Sequence, residues 1–225
     1  MQHLVIGNGE IGKSLAKVFD DCSLLGRVDM AYPHPNDLQI LHICFPYSEE
    51  FEREVLRYKE LYTPNFTVIH STVPIGTCTK LKAIHSPVIG IHPELQQSLT
   101  IFIKFLAGPD ADKVAQSFRR AGMKVYLFDK PETTEYLKLR CTEKYGLDIE
   151  FAKDIKRGCV DYGIPFEAYT LWTQNYNLGY TKLGHEEFVR PNLIPMMGTT
   201  GGHCILPNAK MLDTKFTKLI NEAND

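Results

Sequence analysis

Two stretches of this sequence combine residue types able to do chemistry. Near the start stands Gly7-Asn8-Gly9-Glu10-Ile11-Gly12. Glycines at that spacing suit a dinucleotide. Gly7 permits a tight turn, Gly9 lets backbone amides approach a pyrophosphate, and Gly12 allows a helix to lie close on its strand. The helix that follows would offer unpaired N–H groups to the anion. In such sites an acidic residue about 20 positions farther on receives the adenine ribose. Asp29, 17 residues beyond Gly12, holds that place and favours NAD. Arg27, two residues earlier, is able to receive a 2'-phosphate, so NADP stays open, and Asp29 reads equally well as a solvated carboxylate at a strand end. The second stretch, Gly201-Gly202-His203-Cys204, sets a thiol in a glycine-rich loop. A thiolate there is both nucleophile and leaving group. Cysteine is ordinarily a core residue, and Cys22, Cys44, Cys78, Cys141 and Cys159 are expected in the core.

The elements that must position these groups are legible in the hydrophobic pattern. His3 to Ile6 is a short apolar run, and Ile11, Leu15, Val18 and Phe19 recur at helical spacing, giving strand, glycine turn, helix. Further strands are expected at Leu24–Met30, Leu38–Phe45, Thr67–His70, Pro87–Ile91, Ile103–Ala107 and Lys124–Phe128. Between them, Ser48 can cap a helix whose stripe is Phe51, Val55, Tyr58 and Tyr62, and Asp112–Ala121 reads as another helix. Strands alternating with helices predict an α/β fold, a doubly wound parallel sheet of the Rossmann type. After Asp129 the pattern turns helical. A long stretch from Glu132 to Tyr162 is interrupted only by Gly146 and Gly158, and Gly163-Ile164-Pro165 stops it. A helix from Phe166 to about Asn177, a loop over 190–207 and a last helix from Ala209 to about Asn221 follow. The expected domains are 1–129, binding the dinucleotide, and 130–225, a helical domain for substrate and dimerisation. His70, His85 and His92 sit in or beside apolar runs, where a hydrogen-bonded structural role is the ordinary one.

Five segments together resemble the UDP-glucose/GDP-mannose dehydrogenase family, the nucleotide-sugar 6-dehydrogenases, and in that family's order: Gly7 to Gly12, Ser71-Thr72-Val73-Pro74-Ile75-Gly76-Thr77, His92-Pro93-Glu94, Glu135-Tyr136-Leu137-Lys138-Leu139, and Gly201-Gly202-His203-Cys204. The resemblance runs to about Leu212 and covers two of the family's three domains. It implies an NAD(P)-dependent oxidoreductase acting on an alcohol of a small, sugar-derived substrate. Ser71 and Thr72 would line the nicotinamide side of the cofactor, and Pro46, at the end of the third strand, is a further cofactor-binding candidate. Glu94 would handle protons and water. Lys138 would offset negative charge as a hydroxyl proton leaves. Cys204 would capture an aldehyde as a thiohemiacetal, so that a second oxidation gives a thioester and then an acid. The family's long helix also implies a homodimer; Tyr136, Leu139, Tyr145, Ile149, Ala152 and Ile155 along it suit a two-fold partner.

Three departures from the family's pattern matter. Thr142 stands where the family has asparagine, one helical turn after the lysine. Asn208 stands where it has aspartate, and an amide orients water without acting as a base. The family's C-terminal domain, which closes over the nucleotide of the substrate, is not matched. The nucleotide-sugar half of the substrate therefore does not follow from the resemblance. Two alternatives stand beside the four-electron reading: a two-electron dehydrogenase of the hydroxyacid/6-phosphogluconate type with Cys204 a bystander, and a module that binds cofactor without turnover.

Bulk properties exclude other classes. With 25 Lys+Arg against 27 Asp+Glu the net charge is only -2, giving no electrostatic reason to expect nucleic acid. No apolar run nears the ~18 residues of a membrane span. The six cysteines show no paired metal spacing, so no metal is expected, and a reduced, cytoplasmic protein is the default.

Overall fold

The computed structural model describes residues 1–27, 38–195, 198–199 and 204–224. Asp29 and Gly201-Gly202-His203 lie outside the described residues. The chain divides into two compact units, Met1–Lys138 and Leu139–Asp225.

The first unit carries β1 (Gln2–Ile6), α1 (Glu10–Val18), β2 (Cys22–Leu25), β3 (Leu38–Ile43), α2 (Phe51–Tyr62), β4 (Phe66–Ile69), α3 (Thr77–Lys80), β5 (Ile84–His85), α4 (Leu95–Ile101), β6 (Ile103–Ala107), α5 (Ala111–Arg120) and β7 (Lys124–Phe128). The strands form one sheet in the order β2-β1-β3-β4-β5-β6-β7. Because successive side chains on a strand alternate faces, each strand feeds two cores. Leu4, Ile6, Leu41, Ile43 and Ile69 pack with Phe51, Val55 and Tyr58 of α2. Val5, Ile40, Val68 and Leu106 pack on the other face with Leu15, Leu99, Val114 and Phe118. The sheet is thus wound on both faces, as the pattern predicts.

Three expectations for this unit are corrected. The sheet is not parallel throughout: β5 and β6 pair antiparallel, so β6 and β7 run against the other strands. No strand forms over Pro87–Ile91; the short β5 precedes it, and Pro87 has no N–H to give a ladder. Nor does Ser48 cap α2, whose N-cap is Glu50.

The long helix α6 (Pro131–Asp161) begins in the first unit and continues in the second. The unit boundary therefore falls later than the expected Asp129. The reason is local: Thr134, Glu135 and Lys138, in the opening turns of α6, all bond to first-unit residues. The second unit adds α7 (Phe166–Lys182), a 3-10 turn (Glu186–Phe188), α8 (Ile205–Ala209) and α9 (Lys215–Glu222). Its core is Ile205, Ala209 and Ile220, with Leu147, Ile149 and Leu206 against it. Gly146 does not interrupt α6. A Cβ there would fall 2.9 Å from the side chains of both Ile205 and Ile220, so the glycine admits α8 and α9 close to the helix. The expected single last helix is two, α8 and α9, and the second opens on a capping box in which Thr214 accepts from the Phe216 and Thr217 amides. The cysteines also depart from expectation. Only Cys44 and Cys78 are buried, Cys22 and Cys159 are half-buried, and Cys141 is exposed with Cys204.

Candidate functional site

In the first unit the glycine turn sits where β1 ends, between β2 and β3. The strand order reverses there, with β2 on one side of β1 and β3 on the other, the place at which open α/β sheets leave a crevice. Gly7 has φ 118°, a conformation that side chains resist, and a Cβ on it would lie 2.7 Å from the Cys44 carbonyl carbon. A Cβ on Gly12 would lie 1.8 Å from the Gly7 oxygen, so only glycine lets α1 settle on β1. A Cβ on Gly9 would meet nothing within 4 Å. Gly9 therefore faces open space, as a residue yielding room to a ligand must. No side chain caps the N-terminus of α1 at Gly9. Its first amides remain for an anion. Asn8, Gly9 and Glu10 are exposed and Ile11 is half-buried. These features fit a pyrophosphate.

The neighbouring strand ends complete this edge. Pro46 is exposed just after β3, and Ser71, after β4, donates its hydroxyl to the Phe45 carbonyl at 2.5 Å. Thr72 is half-buried beside it. His92 Nδ1 pairs with the Glu10 carboxylate, which carries His92-Pro93-Glu94 to the glycine turn across 82 residues of sequence. Glu94 itself is exposed and forms the N-cap of α4, where its carbonyl accepts from both the amide and the hydroxyl of Ser98. Lys138 Nζ donates to the Val88 carbonyl at 2.9 Å, in the segment leading to His92. Arg27, at the end of β2, is held by both carboxylate oxygens of Glu54 at 2.6 and 2.7 Å, which also holds its guanidinium firmly protonated.

Two residues of this unit were not singled out in the sequence. Glu135 is fully buried, and its two oxygens accept from the Gly76 amide at 2.6 Å and the Cys78 amide at 2.8 Å. It ties the start of α6 to the loop that follows Ser71-Thr72. Lys104 is buried in β6 and donates to the Ser86 and Pro87 carbonyls at 2.6 and 3.0 Å. Glu135 stood in a quoted segment without a role of its own, and a lysine within an apolar run was the only signal of Lys104. His70 and His85 are buried and hydrogen-bonded, His85 to Thr134 Oγ1 at 2.8 Å, and burial lowers both imidazoles, His85 to about 3.

In the second unit Thr142 and Asn208 are brought together. Both are buried, and the Asn208 amide donates to Thr142 Oγ1 at 3.3 Å. Cys204 is exposed at the N-cap of α8, four residues before Asn208. Among the described residues no cluster of three His, Cys, Asp or Glu side chains could hold a metal, and no helix is long and apolar enough to cross a membrane.

No protein-family model matches the sequence, and no curated protein matches it. Solved structures do match in fold. The UDP-D-ManNAc dehydrogenase of Pyrococcus horikoshii aligns over 100% of this chain and 68% of its own, with a TM-score of 0.77 at 17% identity. A UDP-glucose dehydrogenase of Pyrobaculum islandicum aligns over 100% and 68%, with a TM-score of 0.71 at 13% identity. The 3-hydroxyisobutyrate dehydrogenase of Mycobacterium tuberculosis aligns over 99% and 92%, with a TM-score of 0.71 at 8% identity. The chain is thus similar along its whole length to nucleotide-sugar and hydroxyisobutyrate dehydrogenases, and it has their fold, a Rossmann-type α/β sheet followed in sequence by helices.

Proposed function

We propose that this chain is an NAD-dependent dehydrogenase that oxidises an alcohol group of a small, sugar-derived substrate. The observation that carries the reading is the glycine turn: Gly7 and Gly12 are closed by backbone while Gly9 opens onto free space. When bound, the nicotinamide would supply the two-electron acceptor. The amides from Gly9 to Gly12 would hold the pyrophosphate, and Pro46, Ser71 and Thr72 would line the nicotinamide side. NAD is preferred over NADP because Arg27, the one basic group expected to meet a 2'-phosphate, is already engaged by Glu54.

In this reading Lys138, held on the Val88 carbonyl, offsets charge as the hydroxyl loses its proton, and Glu94 accepts or returns protons from water. Cys204 would be the nucleophile of a second oxidation, with Thr142 and Asn208 orienting water. The two-electron alternative is favoured by one observation. Thr142 and Asn208 bond to each other, so part of their hydrogen-bonding capacity is already used. Replacing Cys204 with serine separates the two. Loss of acid formation with aldehyde formation retained supports the four-electron route, and unchanged turnover supports the shorter one.

We also infer a homodimer through α6 and α7. Val160, Tyr162, Leu171, Trp172 and Leu183 expose most of their apolar surface, and α7 buries only Thr173. Such a face suits a second copy. Light scattering at micromolar concentration should give twice the chain mass, and a monomer would remove this inference.

A further inference from the structure

Three buried histidines stand in a line through the sheet. His3 on β1 and His42 on β3 are 2.8 Å apart, Nδ1 to Nε2. His42 Nδ1 is 2.9 Å from His70 Nε2, just past β4. The rings are nearly parallel, at 16° and 24° between planes. At the far end His70 Nδ1 lies 2.9 Å from the Ser86 carbonyl and 3.2 Å from Lys104 Nζ. Strand register sets the direction of the line. His3 is level with Ile40, and His42 with Val5 and Val68, so each ring stands two residues nearer the sheet edge that carries the glycine turn. The line starts at a small cavity of about 150 Å³ bordered by Met1, His3, Asp21 and Arg120. It ends at the Ser86–Pro87 carbonyls, next to the Val88 carbonyl that holds Lys138.

Hydrogen counting restricts this line to two states. A neutral imidazole carries one N–H, and each ring-to-ring link needs one hydrogen. Either all three rings are protonated at Nε2 or all three at Nδ1, since any mixture leaves a link with two hydrogens or none. Lys104 selects between them. Its ammonium has three hydrogens for three neighbours, the Ser86 carbonyl, the Pro87 carbonyl and His70 Nδ1, which requires the Nε2 state. A neutral amine has two hydrogens for the two carbonyls, and His70 then carries its hydrogen on Nδ1. We propose that His70, His42 and His3 form a proton path through the sheet, by which buried Lys104 exchanges its proton with solvent at the His3 end. On release, the ammonium proton passes to His70 Nδ1, the His70 Nε2 proton to His42 Nδ1, the His42 Nε2 proton to His3 Nδ1, and the His3 Nε2 proton to water. One proton enters the line and one leaves, and no imidazolium accumulates.

The surroundings agree. Lys104 is faced by Cys44, His70, His85 and Lys138, and burial together with the Lys138 charge brings it down to about 7. His42 is faced by Phe19 and Phe118, and by His3 and His70. His3 is faced by the N-terminus and Asp21. Burial lowers all three imidazoles, so they relay rather than store charge. Protonation of Lys104 thereby sets the charge behind Lys138 from a distant surface, and the path itself does not depend on the dehydrogenase reading.

The test is nitrogen-15 NMR of the full chain labelled at histidine, titrated from about pH 5 to about pH 9, since bonded and bare ring nitrogens differ widely in shift. Three imidazoles should change from the Nε2 to the Nδ1 form together, at one midpoint, while staying neutral. Lys104→Met should hold all three in the Nδ1 form at every pH. His42→Gln should leave His70 responsive and His3 not. Rings that keep one tautomer throughout, change at separate midpoints, or become imidazolium would overturn the proposal, and the unmodified protein alone can give that result.

Discussion

The glycine turn separates residues that build the fold from a residue proposed to make room for the cofactor. A Cβ at Gly12 would overlap the Gly7 carbonyl, so Gly12→Ala should lower stability by about 3 kcal/mol or more. Gly9→Val adds its side chain to open space. It should leave the denaturation midpoint almost unchanged while weakening NADH binding at least about tenfold, which calorimetry would show. Glu135 makes the opposite case, for fold over chemistry. Glu135→Ala strands the buried Cys78 amide and the half-buried Gly76 amide, and chemical denaturation should show a loss of about 3 kcal/mol. Lys138→Met should reduce turnover about a hundredfold with cofactor affinity unchanged. The turn was readable because its glycines stand between a strand and an amphipathic helix. Glu135 was quoted as part of a motif but given no role, because its partners are backbone amides 57 and 59 residues away, which no local pattern reports.

At the scale of elements, β1, β3, β4, β6 and β7 with α1, α2 and α5 followed from apolar period and length, whereas the short α3, β5 and α4 were not expected. The exceptions lie where tertiary pairing overrides local preference. Pro87–Ile91 is apolar enough for a strand but follows a two-residue β5 and runs on as loop. The reversal at β6 leaves no trace in a run of apolar residues, because both orientations bury the same side chains. The sheet also carries the pH response. His3 and His85 are lowered from the ordinary 6.5 to about 4 and about 3, chiefly by burial. The unfolded chain therefore binds more protons below 6.5, and stability falls as pH drops from there toward 4 and 3, by at most about 1.4 kcal/mol per pH unit for each proton taken up. Lys104 acts in the alkaline window. Lowered from 10.5 to about 7, it binds fewer protons folded than unfolded between those values, so stability rises with pH across them. Lys104→Met should abolish that rise, as denaturant midpoints measured at several pH values would show.

At the scale of the molecule, the change from alternating strands to helices was plain in the sequence, but the boundary was not. The break in pattern falls at Asp129, whereas the opening turns of α6 belong with the sheet, because Thr134, Glu135 and Lys138 spend their polar groups there. The candidate residues divide likewise. The glycine turn, Ser71, Thr72, Glu94 and Lys138 belong to the first unit, and Thr142, Cys204 and Asn208 to the second. The account at this scale rests on a nicotinamide dinucleotide held at the opening turn, and a titration of the full chain with NADH, read by nicotinamide fluorescence or heat, tests it most directly. Saturable binding that Gly9→Val weakens, at an unchanged melting temperature, is the predicted result. No binding at millimolar NADH or NAD would contradict it.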